Sequence, residues 1–233
     1  NSKPSTSIQR NIGIKNSNIE SKFIMFLDDD IIFTERMFYN MDKTIISNFN
    51  DENIIGYGFN QISENNNFNF LEKLKNNFIL NFFDLYPNKP GKVAKSGWQS
   101  KILDIKEDIT VDWIYTTACI FKSEAIKNLR FNENFGSYSY LEDLEFSLNF
   151  FKTKKKIIIS SDAKYFHPLS IDRSSFKFGL YEVRNRFKII KKYNLSKSRF
   201  FIMTFARTFI FIFNIFILKK NLFYRALGNI YGV

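Results

Sequence analysis

Short apolar runs alternate with longer amphipathic segments along the first two-thirds of the chain. Phe23–Leu27 and Ile54–Phe59 have the length and flanks of strands buried in a sheet. Glu35–Phe49 and Phe68–Phe83 place apolar residues at helical spacing, and Thr34 stands where it would cap the first of these helices. This alternation predicts an α/β domain.

The same pattern continues further along the chain. Val111–Phe121, Ile157–Ile159 and Lys164–Phe166 are predicted strands, and Tyr140–Phe151 is a predicted helix. The stretch Tyr86–Ser100 contains two prolines and two glycines, which predicts a loop.

The last third of the chain has helical periodicity alone. The predicted helices are Ser174–Tyr193, Arg199–Leu218 and Asn221–Ile230. We therefore predict two parts, an α/β domain over residues 1–172 and a helical C-terminal extension over residues 173–233.

The charge is concentrated in that last third. The chain has a net charge of +11, and residues 152–233 hold 18 Lys or Arg against 3 acids. A segment that is both basic and apolar favours an anionic membrane surface over nucleic acid, and no nucleic-acid recognition motif is found. The single cysteine, Cys119, excludes an internal disulfide framework and a thiolate zinc cluster, and it fits a reducing compartment.

Residues 200–218 are the most apolar segment, with 15 apolar residues in 19. Arg207 lies near its middle, and an arginine there costs about 2.5–3.5 kcal/mol on membrane-insertion scales. A helix lying in the membrane interface suits this charge better than a spanning helix. The alternative is a helix packed on the body of the protein.

Three carboxylates, Asp28–Asp30, directly follow the apolar strand Phe23–Leu27. Ligands bind at this edge of open α/β sheets, and Asp28 and Asp30 could present oxygens to Mg²⁺ or Mn²⁺. The alternative is an acidic turn that caps the next helix. A phosphatase of the haloacid-dehalogenase type would need Thr at the position of Ile32.

Other candidate residues lie further along the chain. Asp143, beside Glu142, could be a general base, although acids at a helix start are common. His167, the only histidine, is either structural or a metal ligand together with Asp30. Arg184 and Arg186 could bind phosphate or belong to a solvated or lipid-facing basic surface.

Taken in order, these segments resemble glycosyltransferase family 2. The resemblance is carried by Gln9–Ile14, Phe26–Asp30, Val111–Ser123, Phe131–Phe135, Glu142–Leu148 and His167. Arg184–Arg186 and Arg225–Gly232 are similar to bacterial members that build surface polysaccharide, including rhamnosyltransferase-like ones. The resemblance implies a GT-A fold, which is a Rossmann-like mixed sheet flanked by helices, and an inverting transfer from a nucleotide-sugar donor to a glycan or lipid-linked acceptor.

The resemblance also implies roles for individual residues. Asp143 would be the catalytic base, and Glu142 would orient the acceptor or the base. The metal, Mn²⁺ or Mg²⁺, would be held by Asp30 with Asp28 and His167. The donor would be bound by Arg10, Asp28, Asp29, Arg184 and Arg186, and the acceptor by Trp98 and Trp113. We expect the enzyme at the cytoplasmic face of the inner or plasma membrane, peripheral or anchored through its C-terminal extension.

The chain also departs from the family pattern. The opening apolar strand that ends in Pro-x-Tyr-Asn and the second strand with its base-contacting Asp are absent, so we expect an N-terminal truncation or an incomplete donor pocket. Thr116 and Thr117 replace a Gly-rich segment, and Lys122 replaces a common Arg. The rival hypothesis is a catalytically inactive, membrane-associated relative that serves in assembly or glycan binding.

Overall fold

A computed structural model of the chain describes residues 5–18, 20–63, 78–136, 139–151, 153–168, 174–217 and 222–233, without the side chains of 213–217. The chain divides into two compact units. The sheet unit comprises Asn1–Phe68, Pro90–Lys92 and Lys101–Pro168, and the helical unit comprises Asn69–Lys89, Val93–Ser100 and Leu169–Val233. The predicted mixed α/β architecture is confirmed.

The sheet unit contains all the described strands and the first described helices. Its strands are β1 (Phe23–Leu27), β2 (Ile32–Phe33), β3 (Ile54–Ile62), β4 (Ile109–Val111), β5 (Ala118–Lys122) and β6 (Lys156–Phe166). Its helices are α1 (Thr6–Asn16), α2 (Met37–Ser47), α4 (Ser123–Ile126) and α5 (Glu142–Ser147). The helix that lies between α2 and α4 in the sequence, α3 (Phe78–Phe82), belongs to the helical unit. Short 3₁₀ turns cover Glu133–Phe135 and Leu148–Phe150.

The six strands form one mixed sheet in the order β1-β5-β3-β6-β2, with β4 also paired to β6. The central pair, β3 and β6, is parallel, and the other pairs are antiparallel. The long strand β6 pairs with β4 through Ile157–Ile159 and with β2 through Tyr165 and Phe166. The first half of β6 therefore pairs with β4, and its last two residues pair with the short strand β2.

Apolar side chains cover both faces of this sheet. Successive residues of a strand point to opposite faces, so Ile120 of β5 joins one core layer and Phe121 the other. The first layer includes Met37 and Met41 of α2. The second includes Phe131, which is stacked on Phe146 with ring centroids 4.0 Å apart. Helices thus flank the sheet because each face presents buried apolar residues.

The pairing of β3 with β6 is interrupted by an irregularity after Ser160. Asn60 fills the gap, since its amide nitrogen donates to the carbonyls of Ile105 and Ser161 at 2.8 and 2.7 Å. The Asp108 carboxylate accepts hydrogen bonds from the backbone nitrogen and hydroxyl of Ser161. These contacts fix the last residues of β6, which lead directly to His167.

Three local predictions were wrong. Val111–Phe121 is not one strand, because residues 112–117 form a loop whose Ile114 nitrogen donates to the Ser147 hydroxyl at 3.2 Å. Thr34 does not cap α2, because its hydroxyl donates to the Lys164 carbonyl at 2.6 Å. The two short strands predicted between residues 157 and 166 are one strand, β6.

The helical unit contains the three predicted C-terminal helices, which are confirmed within a few residues. They are α6 (Phe176–Lys192), α7 (Lys197–Ile217) and α8 (Leu222–Gly232). Most of the helix predicted over Phe68–Phe83 lies outside the described residues. Among the helices that the structure describes, none is long and apolar enough to cross a membrane.

Candidate metal and catalytic site

The site of the sheet unit begins where β1 ends. The backbone nitrogen of Asp28 donates to the Thr117 carbonyl at 2.8 Å, which extends the β1–β5 pairing by one residue. The Asp28 side chain is half-buried, whereas Asp29 and Asp30 are exposed in the turn that follows. A five-residue apolar strand thus delivers three carboxylates to the edge of the sheet.

Asp30 lies beside His167, and a metal site shared by these two residues was one of the two alternatives that the sequence left open. The Nε2 atom of His167 is 3.1 Å from the Asp30 Oδ1 atom. His167 directly follows β6, and β6 pairs with β2, which directly follows the acidic turn. The antiparallel pairing of two strands therefore brings together residues that are 137 positions apart.

Asp28, Asp30 and His167 form a group that could hold a metal ion. One ligand atom from each lies within 4.8 Å of the others. Two carboxylates and an imidazole suit Mn²⁺, and Mg²⁺ accepts the carboxylates with water completing its shell. The donor set therefore fits the divalent cation that the sequence predicts.

Arg10 joins the acidic turn to the helix α5. One of its terminal nitrogens donates to Asp28 Oδ1 at 3.1 Å and the other pairs with Glu142 Oε1. The second Glu142 oxygen accepts a hydrogen bond of 2.6 Å from the Ser7 hydroxyl. Arg10 is largely buried and bridges the carboxylates of Asp28 and Glu142 by charge-assisted hydrogen bonds.

Asn11, next to Arg10, secures the turn-rich segment before α5. Its side-chain amide donates to the Phe131 carbonyl at 3.0 Å and to Glu133 at 2.8 Å, while its oxygen accepts from the Phe131 nitrogen at 2.7 Å. Sequence reasoning missed Asn11 and Ser7. The spacing of Ser7 and Arg10 on one face of α1 is the signal that could have found Ser7.

Asp143 is half-buried in the first turn of α5, where its carboxylate accepts from the Leu144 nitrogen at 2.7 Å. The negative charges of Asp143 and Asp28 both act on the buried thiol of Cys119. Burial raises the pKa of the Cys119 thiol, and both Asp28 and Asp143 raise it further against the opposing effect of Arg10. Asp143 and the acidic turn therefore act on the same buried thiol.

Glu142 has a strongly perturbed acidity. Burial raises its pKa from 4.5 to about 7, although Arg10 and the Ser7 hydroxyl both favour the charged form. The neighbouring charge of Asp143 adds to the increase. Buried carboxyls beside a second carboxylate are common at functional sites.

Three of the predicted site residues lie in the helical unit. Arg184 is exposed on α6, whereas Arg186 is buried and donates to the Gly97 carbonyl and to Gln99. The ring of Trp98 is also buried, and the Arg186 guanidinium lies 3.8 Å from its centroid. Trp113, in the sheet unit, is buried against Tyr115. The donor and acceptor roles of these residues stay predictions.

Comparison with models of protein families gives no match for this chain, and no curated protein matches its sequence.

Proposed function

We propose that the chain is a metal-dependent glycosyltransferase that moves a sugar from a nucleotide-sugar donor to an acceptor hydroxyl, with inversion. The observation that carries this proposal is the convergence of Asp28, Asp30 and His167 at the end of β1. The resemblance to glycosyltransferase family 2 and to its GT-A fold adds to it. The acceptor would be a glycan or a lipid-linked saccharide.

The chemistry of the donor explains why this residue set is needed. A bound Mn²⁺ or Mg²⁺ would offset the negative charge that develops on the nucleoside diphosphate leaving group. Asp28, Asp30 and His167 would hold that ion. Arg10 keeps Asp28 in place through a 3.1 Å contact, so the ligand geometry does not have to form at the moment of binding.

Asp143 is the residue that we assign as general base. It would take the proton from the acceptor hydroxyl as the oxygen attacks the anomeric carbon from the side opposite the diphosphate. General base catalysis contributes about 10²–10⁴-fold to a rate. Glu142 is committed to Arg10 and Ser7, which supports a positioning role for Glu142 rather than a second base.

The proposal is tested by measuring turnover of UDP-, GDP-, dTDP- and CMP-sugars with Mn²⁺, including slow hydrolysis in the absence of acceptor. We expect one donor class to be consumed only with metal. Asp143→Asn should retain nucleotide binding and lose transfer by about 10²–10⁴-fold. Asp162→Asn, which changes an exposed carboxylate elsewhere on the sheet unit, should leave both unchanged.

Two results would contradict the assignment. Transfer by Asp143→Asn at the wild-type rate removes the proposed base. Binding of a nucleotide sugar with no turnover under any condition favours the rival hypothesis of an inactive glycan-binding relative.

A further inference from the structure

The strand β1 lies at one edge of the sheet and exposes apolar side chains. Among the strands that the structure describes, it is hydrogen-bonded to β5 alone. Met25 and Leu27 point to the same face of the sheet and are 43% and 39% exposed. The five residues of the strand, FIMFL, include no charged residue and no proline. Natural edge strands usually carry such residues, because an unprotected edge pairs with another strand.

The pairing with β5 determines which backbone groups of β1 face outward. The Ser123 nitrogen donates to the Lys22 carbonyl at 2.9 Å, and the Asp28 nitrogen donates to the Thr117 carbonyl at 2.8 Å. Lys22 and Asp28 are therefore hydrogen-bonded positions of the antiparallel pair, as are the even-numbered residues between them. The odd-numbered residues point their amide and carbonyl groups toward the open edge: Phe23, Met25 and Leu27.

This edge is complementary to itself. When two copies of β1 run antiparallel with Met25 at the centre, Met25 faces its own counterpart and Phe23 faces Leu27. The outward backbone groups of both strands are then paired, and the exposed apolar side chains cover one another. The residues that flank the strand also match, because Lys22 of one copy lies opposite Asp28 of the other. Opposite charges that face each other across antiparallel strands are stabilising.

We propose that two copies of this chain associate through their β1 strands, which pair antiparallel about a two-fold axis at Met25. The charges favour a second copy over an unrelated strand, since this one sequence supplies a basic residue at one end of the strand and an acidic residue at the other. A register shifted by two residues would separate Lys22 from Asp28. The association does not depend on the proposed catalytic activity.

Sedimentation velocity of the full chain tests the association. It is measured in EDTA, so that no metal ion competes with Lys22 for Asp28. We expect a concentration-dependent dimer of the wild type. Met25→Lys places two like charges directly opposite each other at the axis and should raise the dimer dissociation constant at least about tenfold.

The matched control for this variant is Ile46→Lys. It adds the same charge at an exposed apolar residue of α2, which packs over β6 and β3. The dissociation constant should stay at the wild-type value. Because Met25 and Ile46 are both exposed, the two variants should keep the wild-type circular dichroism spectrum.

The register is tested by oxidative cross-linking. Hydrogen-bonded residues of an antiparallel pair have Cα atoms about 5.5 Å apart, and a disulfide spans about 4.4–6.8 Å, so Met25→Cys should cross-link two copies. Leu27→Cys is the matched control, because its two cysteines would be offset by four residues, or about 13 Å. The native Cys119 is buried and should not compete.

The charge pair is tested by Lys22→Glu, which places an acid opposite Asp28. Since the two-fold axis creates this pair twice, the dissociation constant should rise about fivefold. Lys154→Glu makes the same change of charge at an exposed residue elsewhere on the sheet unit and should have no such effect.

Three outcomes would overturn this proposal. The first is a wild-type chain that stays monomeric at the highest soluble concentration. The second is a dimer that Met25→Lys weakens no more than Ile46→Lys does, since another surface would then join the two copies. The third is a Leu27→Cys variant that cross-links as fast as Met25→Cys, which would exclude an axis at Met25.

Discussion

Replacing Glu182 by Gln removes the one carboxylate that three arginines of the helical unit share. Its oxygens lie 2.7 Å from Arg225, 3.6 Å from Arg207 and 3.9 Å from Arg186. Burial alone would raise the pKa of Glu182, but the three guanidinium groups outweigh burial and lower the pKa to about 2. The charged form of this carboxylate is therefore strongly stabilised in the folded protein.

The magnitude follows from this pKa. A decrease from the ordinary value of 4.5 to about 2 corresponds to about 3 kcal/mol of folding free energy at neutral pH. Glu182→Gln also leaves three buried cations without their shared counter-charge, and breaking a buried ion pair costs about 3–5 kcal/mol. We therefore expect the free energy of unfolding of the helical unit to fall by about 3–5 kcal/mol at pH 7.

The pH dependence has a definite sign. Because the folded pKa is depressed, the stabilisation by Glu182 is present above pH 4.5 and is lost as the pH falls toward 2. The difference between wild type and Glu182→Gln should accordingly shrink by about 2 kcal/mol between pH 7 and pH 3.

The assay is urea unfolding followed by tryptophan fluorescence in a Trp113→Phe background. Trp98 is then the only tryptophan of the chain, and it lies against Arg186 and Arg207. Glu124→Gln, which removes an exposed carboxylate of the sheet unit, is the matched control and should have little effect. A Glu182→Gln loss below about 1 kcal/mol, or one that is the same at pH 3 and pH 7, would refute the reasoning.

Further predictions concern helix packing and the pH dependence of the sheet unit. Gly228→Ala should destabilise the helical unit by at least about 1–3 kcal/mol in the same urea assay, because the added Cβ would collide with the Phe176 carbonyl. Gly13→Ala has open space around it on α1 and should instead stabilise the protein by about 0.5–1 kcal/mol. Since burial raises the pKa of Glu142 to about 7, its contribution to stability should decrease as the pH rises from 4.5 to 7. Thermal unfolding over this range should show the decrease in the wild type and less of it in Glu142→Gln, and identical pH profiles would contradict the assignment.

The order and spacing of apolar residues predicted the strands and helices whose formation depends on residues close together in the chain. The apolar run that ends in three acids predicted β1 and the position of Asp28 and Asp30 after it, but the prediction of a buried strand was wrong, because Met25 and Leu27 are exposed. The sequence left His167 open between a structural role and a metal site with Asp30, and the antiparallel pairing of β2 with β6 is what brings the two side chains together. The helices α6, α7 and α8 were found because their apolar spacing is long and regular.

The remaining features depend on contacts between distant residues. Thr34 has the residue type of a helix cap, but Lys164 lies 130 positions away and competes for its hydroxyl. The loop that divides Val111–Phe121 is fixed by Ser147, again far along the chain. Arg207 resembles a surface charge in an apolar segment, and its inward direction follows from the position of Glu182 on another helix.

The most direct test of the central claim is the thermal stability of the protein with Mn²⁺ and each of UDP, GDP, dTDP and CMP. We predict that one nucleotide stabilises the wild type only when Mn²⁺ is present, by about 2.7 kcal/mol at a concentration one hundred times its Kd. Asp30→Asn and His167→Gln should lose this stabilisation, and Asp162→Asn should keep it. Stabilisation that does not require Mn²⁺, or that survives in Asp30→Asn, would contradict a metal-dependent donor site at the end of β1.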